Sequence, residues 1–120
     1  MACNIYLDLL SVDEFATKLR SGRSKKRDKE LKSIRKRGQE RRVLVSTYGE
    51  VLNSDIPLYE ALVMAGYAMI EVIRVVGCAE RADIKAAKDF SAKHPLTPVG
   101  DGRVKAFREY AEYVNGTRNP

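Results

Sequence analysis

Apolar residues recur along this chain with two different spacings, and the alternation between them predicts a mixture of strands and helices. Asn4 to Leu10 is rich in Ile, Tyr and Leu and has the length of a strand. Ser11 stands three residues before Glu14, the spacing of a capping box, so a helix is expected to follow. It would place Val12, Phe15, Ala16 and Leu19 on one face and end near Gly22. Ser24 to Arg37 also favours helix, with Gly38 as its stop, but Leu31 and Ile34 are its only apolar residues. So narrow a stripe gains little from packing, which predicts a weakly docked, mobile helix.

Val43 to Leu52 reads as a second strand with a bend or bulge at Gly49. Asn53, Ser54 and Asp55 offer caps, and Pro57 suits a first helical turn. Leu58, Ala61, Leu62 and Ala65 then share a face up to Gly66. The β-branched density of Ile70, Val72, Ile73, Val75 and Val76 argues for a buried central strand over Tyr67 to Val76, rather than more helix. Ala79 to Lys93 returns to helix, with Ala82, Ala86 and Phe90 on one side, and Pro95 and Pro98 close it. Val104, Phe107, Tyr110, Ala111 and Val114 predict a last short amphipathic helix before Gly116. The order β-α-(basic α)-β-α-β-α-α implies an α+β class, a two-layer domain with helices packed on a small sheet.

At 120 residues and 44% hydrophobic, the chain is read as a single domain over 1–120 with a basic, mobile segment over 20–42. Its longest apolar stretch, Leu58 to Val76, is broken by Glu60, Gly66, Glu71 and Arg74. It therefore falls short of the roughly 20 apolar residues of a membrane span, and no membrane partner is expected. Met1 to Leu10 lacks a basic leader and contains Asp8, so it does not read as a secretory signal. An intracellular location, cytoplasmic or nuclear or in the nucleoid, is expected. Cys3 and Cys78 are too few for a disulfide framework and have no zinc-like neighbours, and His94 alone makes no metal site. No cofactor or metal is called for.

Charge changes this picture. Arg20 to Arg42 holds twelve basic residues against three acids, Asp28, Glu30 and Glu40, a net of +9. The rest of the chain holds ten basic residues and thirteen acids, a net of −3. One basic element on a slightly acidic body points to a polyanionic partner. Each phosphate that a Lys or Arg neutralises releases condensed counterion, so clustered cations bind nucleic acid in a salt-dependent way. On a helix, Lys25, Lys29, Lys32 and Lys36 line one side, Lys26 and Arg37 share a face, and Arg23, Arg27 and Arg35 flank the apolar pair. With Arg41 and Arg42, these residues make up a phosphate-contacting footprint for RNA or DNA, binding the backbone rather than reading bases. No aromatic lies between Phe15 and Tyr48, so the segment has no base-stacking platform of its own.

Two rival readings use the same residues differently. A protein-interaction module, such as a small regulator or inhibitor, would present the basic helix to an acidic protein surface. A metal-dependent nuclease would use acids at strand ends, for which Asp8, Glu50, Asp55 and Glu71 are the candidates. There is no Walker loop, GxGxxG, GxSxG or His/Cys pair, so the primary reading is non-enzymatic, with no catalytic residues assigned. Tyr110, Tyr113 and Val114 would offer a face for homodimerisation if they were not packed on the body.

The stretch Val43 to Lys93 resembles the core of the Alba family of DNA- and RNA-binding proteins, which opens with a strand, a helix, a strand and a helix. The matching residues are Arg42-Val43-Leu44-Val45-Ser46-Thr47, Tyr59-Glu60-Ala61-Leu62, Gly66, Ile70-Glu71-Val72-Ile73 and Gly77-Cys78-Ala79-Glu80-Arg81-Ala82-Asp83-Ile84-Lys85-Ala86. The basic loop that follows the first strand in that family is here Tyr48-Gly49-Glu50, and a helix replaces the closing basic hairpin. The resemblance implies nucleic-acid contacts moved to the N-terminal basic segment.

Overall fold

The β-branched run expected at the centre of a sheet is central. In the computed structural model, which describes residues 4–76, 81–93 and 96, it forms β3 (Met69–Val76). β1 (Asn4–Ser11) lies antiparallel on one side, with Leu7 opposite Ile73, and β2 (Val43–Ser46) lies parallel on the other, with Val43 opposite Val72. Alternation along β3 sends Ile70 and Val72 to one face and Ile73 and Val75 to the other, all four buried.

Because both faces of the central strand are apolar, both must be covered. On the first face, Leu10, Val43 and Val45 meet α1 (Lys25–Arg37) through Leu31 and Ile34, and α2 (Ile56–Met64) through Leu58, Ala61 and Leu62. On the second, Ile5, Leu7 and Leu44 meet α3 (Arg81–Lys93) through Ala87 and Phe90. The α+β class holds and the order of elements roughly matches over the described residues, while the layering is helix, sheet, helix rather than two layers.

The helix expected after β1 is one 3-10 turn, Val12–Glu14. The capping spacing acts as read, Glu14 Oε1 accepting from the Ser11 amide at 2.9 Å. Beyond it, tertiary partners hold the chain open: Ala16 N donates to Gly49 O (3.1 Å), Val51 N to Thr17 Oγ1 (2.7 Å) and Tyr59 Oη to Thr17 O (3.2 Å). Phe15 then stacks on Tyr59 with ring centroids 4.6 Å apart, and Leu19 is left exposed. Gly49 is required there, since its φ is +82° and a Cβ would stand 3.0 Å from Glu14 O.

Three further expectations change. α1 docks more fully than its narrow apolar stripe predicts: Leu31 and Ile34 are both buried in the core. α3 buries Ala87 with Phe90 and leaves Ala86 exposed. The predicted strand Val43 to Leu52 is shorter, because a turn at 47–49 sends Val51 back antiparallel to Val45. With Leu52 N on Leu44 O and Leu44 N on Asp55 Oδ2, this return covers the outer edge of β2. The predicted last helix, its Tyr110, Tyr113 and Val114, both cysteines and His94 lie outside the described residues. Among the described residues, no helix is long and apolar enough to cross a membrane.

Candidate nucleic-acid interface

α1 starts where Ser24 Oγ accepts from the Arg27 amide at 3.2 Å, and ends at Gly38, whose amide still reaches Ile34 O at 2.7 Å. Gly38 has a φ of +76°, which releases the chain toward β2. Arg35, Lys36 and Arg37 in the last turn and Asp28 in the first agree with the helix dipole. The buried positions, Arg27, Leu31 and Ile34, define the inner face. At 3.6 residues per turn, Lys25, Lys29, Lys32 and Lys36 stand opposite them as an outer ridge, and all four are exposed. Lys26 and Arg37 lie on one flank and Arg35 on the other, also exposed.

The eleven predicted contact residues divide. Arg23, Lys25, Lys26, Lys29, Lys32, Arg35 and Lys36 are exposed and form no ion pair with any described residue. Arg37 and Arg41 are exposed but engaged, Arg37 with Glu40 at 3.7 Å and Arg41 with Glu30 at 2.8 Å. Arg27 and Arg42 leave the footprint, because both are buried. Burying a guanidinium demands partners, and the fold supplies them at the Nη nitrogens of both.

Arg27 donates to Arg20 O at 3.3 Å and to Gly22 O, and lies 3.8 Å from Glu60. Glu60 has a fully buried side chain. It accepts from the Arg20 amide (2.6 Å) and from Arg20 Nη2 (2.8 Å), so one carboxylate ties the 15–24 segment and α1 to α2. Burial pushes the Glu60 carboxyl upward, but the Arg20 hydrogen bonds, with the Arg20 and Arg27 charges, outweigh it and leave the group below its ordinary value. Arg42 Nη2 stands 3.3 Å from Glu71 Oε1 with both side chains fully buried, and Arg42 Nη1 reaches Ser91 O of α3 at 3.4 Å. Beside this pair the Gln39 amide completes the ladder of β3 before β2 begins, donating to Glu71 O (2.8 Å) and accepting from Glu71 N (3.2 Å). These contacts fix the segment that joins the basic helix to the sheet.

The four acids proposed as a metal site are dispersed. Asp8 pairs with Arg74 at 3.0 Å, Glu71 with Arg42, Asp55 accepts from the Leu44 amide, and Glu50 is exposed in the turn after β2. Among the described residues, no group of three His, Cys, Asp or Glu side chains is placed to hold a metal ion.

One solved structure shares this architecture. It is the C2221 form of a Pnob8-like ParB-N domain, with a TM-score of 0.53 and 11% identity over 99% of this chain. The chain spans 51% of the length of that one, and the likeness is one of fold. No family model and no curated protein matches the sequence. The strand–helix–strand–helix order read over Val43 to Lys93 is present as β2, α2, β3 and α3.

Sequence reading missed the ion pairs, yet the chain carried a signal for them. Glu60, Glu71 and Arg74 interrupt an apolar stretch. A charge inside such a stretch must find an opposite charge as it is desolvated, and the buried Glu60 and Glu71 and the half-buried Arg74 all do. Lys88 was also missed. It lines a cleft of about 370 Å³ together with Arg41, Arg42 and Asp55, bringing a cation of α3 beside the basic segment.

Proposed function

We propose that this protein binds nucleic acid, RNA or DNA, through contacts between the outer face of α1 and the phosphate backbone. The observation that carries this is the set of seven exposed cations, Arg23, Lys25, Lys26, Lys29, Lys32, Arg35 and Lys36, with no ion pair to a described residue. Cations already satisfied by internal carboxylates would gain little from a phosphate, and no described carboxylate pairs with these. The docking of Leu31 and Ile34 supports the reading further, because it holds the ridge in one orientation before any partner arrives. Ordering the helix then costs little on binding.

Anisotropy of labelled oligonucleotides over a salt series tests this. A protein that makes about six or more phosphate contacts loses roughly 10³-fold in affinity or more between 50 and 200 mM salt. The variant with Lys25, Lys29, Lys32 and Lys36 all changed to Glu should lose binding while keeping its circular dichroism. Undiminished binding by that variant would overturn the reading. So would complexes that ignore salt and form instead with an acidic protein surface, the outcome expected of a protein-interaction module.

A further inference from the structure

Resting on that reading, we infer that α1 enters the major groove of B-form DNA, with its lysine ridge facing into the groove and the ridge ammonium groups, like the flanking cations, reaching the two phosphate walls. The first reason is shape. α1 presents a ridge and not a channel: its inner face is buried on the sheet and α2, and Lys25, Lys29, Lys32 and Lys36 stand farthest from that face. These four span about 16 Å of helix axis at 1.5 Å per residue. A helix with its side chains is about 10–12 Å across, and the B-DNA major groove is about 12 Å wide.

The second reason is the placement of charge on both sides of the ridge. Lys26 lies on one flank and Arg35 on the other, both exposed and without an ion pair to a described residue. A helix lying on a single strand needs cations along one line; a helix between two walls needs them on both flanks. Of the three acids in the segment, Glu30 is held by Arg41, and Glu40 by Ser33 and Arg37, while Asp28, exposed on the Arg35 flank, is the one acid set among the seven cations.

The third reason concerns the rival nucleic acids. Single-strand binders combine a basic groove with exposed aromatics on which bases stack. α1 contains no aromatic, and the exposed Tyr48 follows the C-terminal end of β2, whereas Arg41 precedes its start. A-form RNA has a deep, narrow major groove that does not admit a helix, so duplex RNA would leave the flanks without contacts. Lysine presents a point charge and not a bidentate fork, so weak base preference goes with this geometry.

The test compares one sequence as duplex DNA, duplex RNA and single-stranded DNA, each of about two helical turns, at one salt concentration with the full chain. The duplex DNA complex should be roughly tenfold tighter than either alternative. Methyl green, which occupies the major groove, should displace the protein, and netropsin, which occupies the minor groove, should not. Equal or tighter binding to duplex RNA or single-stranded DNA would overturn the inference and leave the broader reading standing. Displacement by netropsin alone would do the same. Binding to none of the three would end both.

Discussion

On the outer face of α1, Lys25, Lys29, Lys32 and Lys36 point to solvent without an ion pair to any described residue. On its inner side Arg27 is buried against Glu60, and beyond the end of the helix Arg42 is buried against Glu71 beside α3. The same run of sequence supplies both sets, and residue type separates them. The buried cations are arginines, whose planar guanidinium donates to several fixed acceptors at once, as Arg27 does to Arg20 O and Gly22 O. The ridge is all lysine, a compact and strongly hydrated charge that is costly to bury and free to meet a mobile anion. The basic segment thus presents exposed lysines, the proposed ligand surface, on one side and a structural clasp on the other.

The largest effect should come from breaking the clasp at its most buried point. Arg42→Ala takes the guanidinium away from the buried Glu71 carboxylate, and loss of one partner of a buried pair costs about 3–5 kcal/mol. Urea unfolding measures it. A loss under about 1 kcal/mol, the range of exposed pairs, would mean that water reaches this pair. Next in size is Leu31→Ala, which removes a side chain 8% exposed from between α1 and the sheet. It should cost about 2–3 kcal/mol, the lower part of the range for buried leucines, and speed amide exchange throughout α1. Exchange unchanged in the helix would show that Ile34 and Arg27 hold it without Leu31.

The outer half of this comparison was legible in the chain, and the inner half was not. The Lys25, Lys29, Lys32, Lys36 spacing reports directly on the outer ridge, because helical periodicity is local. Whether Arg27 or Arg42 faces solvent depends on residues 33 and 29 positions away, Glu60 and Glu71, and no local pattern pairs them. The same holds for the helix expected after Ser11. Its capping signal was real, but the partners that end it after one turn, Gly49, Val51 and Tyr59, come from 33 to 42 residues away. The central strand was legible because composition alone, in Ile70 to Val76, required burial on both faces. That argument already implied cover on two sides, which the two-layer reading did not use.

Glu60 sharpens the comparison through pH. Its carboxyl titrates below the ordinary 4.5, so the native state binds its proton less readily than the unfolded chain does. The stability it contributes is therefore fully present above about pH 4.5 and is lost as pH falls through its native pKa. Glu60→Gln should cost about 1–2 kcal/mol at neutral pH, a modest value because Arg20 is half exposed. The two proteins should converge in acid. A difference that persists to the lowest pH at which both still fold would assign the effect to packing and not to charge.

Asp55 carries the smallest expected effect and the opposite sign. It too is a buried carboxyl, 4% exposed, but among the described residues no ion pair neutralises it; its Oδ2 accepts from the Leu44 amide at 2.9 Å. Burial raises its pKa more than that hydrogen bond and the charges of Arg41 and Lys88 lower it. The native state therefore binds this proton more readily than the unfolded chain does, and the Asp55 contribution falls as pH rises through its native pKa. Asparagine keeps an oxygen for the Leu44 amide and carries no charge to desolvate. Asp55→Asn should thus leave stability unchanged or raise it by less than about 1 kcal/mol at neutral pH, read from the same urea curves. A clear loss in that variant would mean that the charge itself is needed, through Arg41 and Lys88 across the cleft. Asp55 would then belong with Glu60 among the carboxylates that hold the basic segment in place.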